Sequence, residues 1–202
     1  INFRVCYFKP ESELNELANE HYKQNVCQCI RQWHYTEANR NSIDMMLAVN
    51  GIPVVAIELK NQLTGQSVDD AMRQWEYNRN PKEYAFGFNK RVLAYFACDL
   101  YNVYMTTQLN GAETVFLPFN QGSNGAGKDG GAGNPTTEDG KYVTSYFWEN
   151  VLQKDKLLDI LQKFISYERS EKKKIMPDGS TKTTVSSKVI FPRYHQLDVV
   201  RK

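Results

Sequence analysis

Ser42-Ile43-Asp44-Met45-Met46-Leu47-Ala48-Val49-Asn50-Gly51-Ile52-Pro53-Val54-Val55-Ala56-Ile57-Glu58-Leu59-Lys60 reads as two strands joined by a tight turn. Asn-Gly between apolar runs is a strong hairpin signal, because both turn positions need positive φ and these residue types adopt it readily. The strands are expected over 42–49 and 53–59. The second is apolar until it ends on a carboxylate and an ammonium, Glu58 and Lys60. Side chains alternate along a strand, so these two point to one face. Asp44 lies on the neighbouring strand, within reach of that face.

Two carboxylates and a lysine suit phosphodiester hydrolysis. Asp44, Glu58 and the main-chain carbonyl of Leu59 are hard oxygen donors of the kind Mg²⁺ takes. A metal there polarises a phosphoryl oxygen and lowers the pKa of bound water. Lys60 beside it orients or helps deprotonate the attacking water, or offsets developing negative charge. The plainer alternative is an exposed Glu–Lys pair ending an edge strand, with Asp44 unrelated to it. Register decides between them. A regular two-residue turn pairs Val49 with Ile52 and sets Asp44 opposite Ile57, on the face away from Glu58. Convergence therefore requires an odd-length loop or a bulge. Gly51 is able to take the positive φ of a bulge residue, and Pro53 has no N–H to give to a ladder.

Outward from the hairpin, Thr64-Gly65 breaks the pattern and Ser67 is expected to cap a helix running to about Arg79, with Asp69 and Asp70 in its first turn. Gln74 lies one turn from Asp70 and Tyr77 on that helix, on a face expected to overlook the Glu58/Lys60 strand end. Strands are expected at 91–98 and 102–106. On the other side, 26–35 reads as a strand and 11–24 as a helix, with Ser12 as its N-cap. Alternating strands and helices argue for an α/β layer fold, a mixed β-sheet flanked by helices. Residues 121–140 hold seven of the twelve glycines and read as a flexible surface loop. Its Gly125-Ala126-Gly127-Lys128-Asp129 lacks phosphate-loop spacing. Order resumes at 145–169, where Leu157, Leu158, Leu161, Phe164 and Ile165 mark an amphipathic helix. Lys172-Lys173-Lys174 and Pro177-Asp178-Gly179-Ser180 read as a basic linker and turn. The expected organisation is a body at 1–169 and a basic linker and lead-in at 170–202.

Composition bounds the function. Of 202 residues, 24% are charged and 41% apolar, with a net charge of +2, which excludes wholesale disorder. No run approaches the ~20 apolar residues of a membrane span, so no membrane partner is expected. Cys6, Cys27, Cys29 and Cys98 form no CxxC or zinc spacing and read as reduced thiols of a cytosolic protein. The first residue, Ile1, suggests a piece of a longer chain. Residues 172–202 carry eight basic and two acidic residues, whereas 1–171 carry 17 basic and 21 acidic. A body of that charge does not bind nucleic acid on electrostatics alone.

Asp44…Glu58-Leu59-Lys60 resembles the PD-(D/E)xK nuclease motif. The surrounding Arg40-Asn41-Ser42-Ile43-Asp44, Asn50-Gly51-Ile52-Pro53 and Leu63-Thr64-Gly65-Gln66-Ser67-Val68-Asp69-Asp70-Ala71 are similar to the N-terminal region of type I restriction enzyme R subunits. So are Val103-Tyr104-Met105-Thr106-Thr107, Phe116-Leu117-Pro118-Phe119-Asn120 and Ser145-Tyr146-Phe147-Trp148-Glu149. Phe191-Pro192-Arg193-Tyr194-His195-Gln196 resembles the lead-in to the helicase-like motor of those subunits. The resemblance implies a restriction-endonuclease-like fold at 1–169 and Mg²⁺-dependent cleavage of double-stranded DNA by Asp44, Glu58, Lys60 and Gln74. It also implies specificity and methylation subunits as partners, ATP used only by motor domains beyond this chain, and a prokaryotic cytoplasmic setting. Three departures stand out. Ile43 replaces the motif's Pro. The family's helical Gln is often followed four residues on by Tyr, where Gln74 is followed by Asn78, with Tyr77 one place early. An acidic residue sometimes supplied by the first helix has only Glu16 or Glu20 to represent it, and a solvated helix face explains both. His21, His34, Trp33, Tyr35 and Trp75 read as structural. Two other readings stay open: a non-catalytic docking module between motor and methylase core, and a stand-alone structure-specific nuclease.

Overall fold

A computed structural model describes residues 4–122, 132–137, 140–175 and 181–202. The mixed sheet flanked by helices is present. Six strands run in the order β1 (Cys27–His34), β2 (Ser42–Val49), β3 (Ile52–Leu59), β4 (Ala94–Cys98), β5 (Val103–Thr106) and β6 (Leu117–Pro118). Neighbours are antiparallel except β3 and β4, which are parallel. Parallel neighbours need a crossover, and helix α2 (Val68–Tyr77) lies in it. Helices α1 (Glu16–Lys23) and α3 (Lys154–Lys163) complete the layers, α3 preceded by a π-helical turn at Phe147–Val151.

Each face of the sheet buries its own core. Against α2 lie Ile43, Met46, Ala56, Tyr95 and Ala97, with Ala71 and Trp75 of the helix. Against α3 lie Val55, Ile57, Phe96 and Phe119, with Phe147, Leu158 and Ile160. Each large apolar side chain so buried contributes roughly 1.5–3 kcal/mol. Trp75 is wholly buried and its indole N–H donates to the Phe96 carbonyl at 3.0 Å. Strand alternation then decides the outcome for β3: Val55 and Ile57 face α3, whereas Ala56 and Glu58 face α2.

The β2–β3 hairpin carries the irregularity that convergence requires. Asn50 (φ 49°) and Gly51 (φ 81°) are both left-handed, so the two-residue turn closes tightly and pairs Val49 with Ile52 and Ala48 with Pro53. The next pair is Leu47 with Val55, leaving Val54 as an extra residue. From there Met46 meets Ala56 and Met45 meets Ile57, where the ladder ends; Asp44, the next residue, reaches β3 through its side chain, which accepts the Leu59 N–H. The bulge sits at Val54 and not at Gly51. The turn already uses the positive φ of Gly51, while Pro53 interrupts the ladder next to Val54 and makes a bulge there cheap.

Several expected boundaries move. Helix α1 starts at Glu16 and its cap is Asn15, whose Oδ1 accepts the Ala18 N–H at 3.0 Å; Ser12 instead accepts the Leu14 N–H. Helix α2 ends at Tyr77, before Arg79. The expected 169/170 boundary falls inside a strand: β7 (Ser166–Ile175) pairs with β8 (Thr181–Ile190) as a separate two-stranded ribbon. Thr183, Thr184 and Val185 favour strand. The chain then returns through the buried Phe191 to α4 (Tyr194–Arg201), whose Leu197 joins the α3-side core. Of the loop expected at 121–140, residues 123–131 and 138–139 lie outside the described residues, as do residues 177–180 of the expected turn.

Candidate active site

Glu58 ends β3 on the α2 face with none of its surface exposed. A carboxylate in that position must be met by donors or it does not stay charged. Three reach it. Oε1 accepts from Arg79 Nε at 2.9 Å and from Arg79 Nη2 at 2.6 Å, and Oε2 accepts from Gln74 Nε2 at 2.9 Å. Burial pushes the Glu58 carboxyl up to about 8; Arg79 pulls it down, and the adjacent Asp44 carboxylate pushes it up further.

Asp44 reaches the same end of the sheet from β2, as the Val54 bulge dictates. Its Oδ2 accepts the Leu59 N–H at 2.8 Å and its Oδ1 accepts from Gln32 Nε2 at 3.0 Å. Gln32 takes a positive φ of 48° opposite Asp44 on β1, and its amide oxygen also accepts from Ser42 Oγ. Lys60 follows β3, its N–H extending the parallel ladder to the Cys98 carbonyl. Its Nζ donates to Gln74 Oε1 at 2.5 Å. Gln74 thus bridges the ammonium and Glu58, a neutral link that uses both ends of its amide.

The four expected side chains, Asp44, Glu58, Lys60 and Gln74, are therefore neighbours, and Leu59 supplies the peptide between the last strand residues. Lys60 and Gln74 open onto a polar cleft of about 510 Å³, lined also by Arg40, Asn41, Asp70, Asn78 and Arg79 among others. Asp70 also accepts the Ser67 N–H at 2.9 Å, fixing the start of α2. Residues 70, 74 and 78 share one helix face, so Asn78 occupies the place four residues after Gln74. Tyr77 does not join them: it is 70% exposed. Glu16 and Glu20 do not join either. Helix α1 packs through Tyr22 into the α3-side core, and both acids are exposed. His21 stacks on Tyr7, and His34 is exposed at the end of β1.

Arg79 is the residue that sequence reasoning missed. It looked like the end of α2, and its only local signal is a charge just before Asn80-Pro81. The physical signal was indirect: a carboxylate ending a core strand needs a buried counter-charge.

Among the described residues no three His, Cys, Asp or Glu side chains gather as a metal cluster. The donor set nevertheless fits a hard dication. Two carboxylates are close neighbours, the buried one accepts from a neutral amide on Oε2, and Asp44 raises the cost of charge on Glu58.

A family model described as "Type I restriction enzyme R protein N terminus" matches residues 10–122. No curated protein matches the chain. Among the described residues no helix is long and apolar enough to cross a membrane.

Proposed function

Because the chain belongs to the type I restriction enzyme R protein N-terminal family, we propose that it is the nuclease part of a restriction system, hydrolysing phosphodiester bonds of double-stranded DNA with Mg²⁺. The observation that carries this reading is the gathering of Asp44, Glu58, Lys60 and Gln74 around the end of β3, with Lys60 and Gln74 opening onto a polar cleft. Asp44, Glu58 and the Leu59 carbonyl would hold the ion, whose chemistry is Lewis-acid polarisation of the scissile phosphate. The chain's own groups do the rest. Lys60 presents a positive charge where negative charge develops as water attacks phosphorus and the P–O bond to the leaving strand breaks. Gln74 fixes the Lys60 ammonium through its amide oxygen. Arg40 and Asn41 offer donors to DNA phosphates along the cleft.

Specificity and methylation subunits are the proposed partners, with ATP consumed by motor domains of the parent protein, in the prokaryotic cytoplasm where the substrate lies. The acidic balance of residues 1–171 fits a nuclease whose DNA affinity is lent by other parts of a complex. The test uses Lys60→Ala in the intact protein, scored for DNA cleavage and for assembly. The nuclease reading requires cleavage to disappear while assembly persists. A docking module would keep both.

A further inference from the structure

Arg79 is 5% exposed, and its guanidinium is held from three sides. Two N–H groups grip Glu58 Oε1 on β3. Nη2 also donates to the Ser42 carbonyl at 2.7 Å, at the start of β2. Its Cζ lies 5.7 Å from the centre of the Tyr35 ring, beyond the end of β1. Ser42 is two residues from Asp44. One side chain therefore ties the strand that carries Asp44 to the strand end that carries Glu58. It also divides the two Glu58 oxygens: Oε1 is taken by a charged fork, whereas Oε2 accepts from the neutral Gln74 amide.

We propose that Arg79 is a positioning residue for the ion site: it fixes the Asp44–Glu58 juxtaposition and leaves Glu58 Oε2 as the oxygen offered to a divalent cation. The proposal rests on the nuclease reading above. A lysine cannot replace it, since a single point charge cannot bind Glu58 twice and the Ser42 carbonyl at once. Groups that orient a metal ligand typically govern affinity by 10–100-fold, and that is the effect expected here.

The experiment counts bound Mn²⁺ from the electron-paramagnetic signal of the free ion, titrated into the 202-residue chain and its variants at a temperature where circular dichroism shows each folded. Arg79→Met should weaken Mn²⁺ binding about 10–100-fold. Arg79→Lys should fall between it and the wild type, and it carries the comparison if Arg79→Met does not fold. Glu58→Gln should remove the site. Wild-type Mn²⁺ affinity in either Arg79 variant, even with a lowered melting temperature, overturns the proposal and leaves the nuclease reading intact. Equal binding by the wild type and Glu58→Gln overturns the ion site itself, and with it both readings.

Discussion

Two hairpins of this chain follow opposite plans. The β7–β8 ribbon pairs ten residues with ten in unbroken register, from Ser166 with Ile190 to Ile175 with Thr181. Its described side chains are mostly exposed, and its ion pairs, Glu168–Lys188 and Arg169–Glu171, lie in solvent. The β2–β3 hairpin is mostly buried and breaks register once, at Val54. Regularity costs nothing where both faces meet water. In the core, one extra residue changes which face every later side chain occupies, and here it carries Asp44 to the side of Glu58. The irregular hairpin is the one that holds the chemistry.

The largest effect should come from shifting that register. Deleting Ala48, across from the bulge, slides the rest of β2 by one place along β3, setting Asp44 opposite Ile57 and core residues against the wrong layer. We expect a loss of more than about 4 kcal/mol of stability in urea unfolding and no cleavage. Deleting Val185 from the ribbon should cost about 1 kcal/mol or less. Equal losses from the two deletions would erase the distinction between the hairpins.

A second difference is electrostatic. The ribbon's ion pairs are exposed and contribute about 0–1 kcal/mol each, so their removal should barely move a melting curve. Glu58 behaves otherwise. Its carboxyl is raised from the ordinary 4.5 to about 8, so the folded chain keeps that proton where the unfolded chain has lost it. The Glu58 contribution to stability is therefore greatest below about pH 4.5 and falls as pH rises toward 8. Melting in metal-free buffer across this range should show a downward slope that Glu58→Gln lessens. An unchanged slope in that variant would assign it to other groups.

The smallest effect concerns α1. Asn15→Ala should cost about 1 kcal/mol through loss of the cap bond to Ala18, and Ser12→Ala close to nothing. The reverse ranking in thermal melts would return the cap to Ser12.

Much of this was legible in the residues. Asn50-Gly51 between alternating apolar runs gave the hairpin, and the PD-(D/E)xK-like spacing singled out Asp44, Glu58 and Lys60. The need for a bulge followed from parity alone. Its place did not, because Gly51 and Pro53 were both suited to irregularity and only ladder pairing separates them. Gln74 was legible from the family resemblance, and the face it shares with Asp70 from helical spacing. Arg79 was not: its partner Glu58 is twenty-one residues away, and nothing local distinguishes a buried arginine from a helix end. The β7–β8 ribbon was read as a linker because a strand exposed on both faces carries no apolar alternation, and its run of lysines hides the β-branched residues opposite. The cap of α1 was misplaced because Ser12 and Asn15 are both good capping types.

Asp44 is the site residue whose place rests most on the register set by the bulge. Cleavage of closed-circular DNA by the intact protein, wild type against Asp44→Ala, with melting temperatures measured alongside, tests it most directly. The prediction is a fall in cleavage of about 10³-fold or more with the fold retained. Wild-type cleavage by Asp44→Ala would contradict it, leaving the register shift at Val54 a detail of packing.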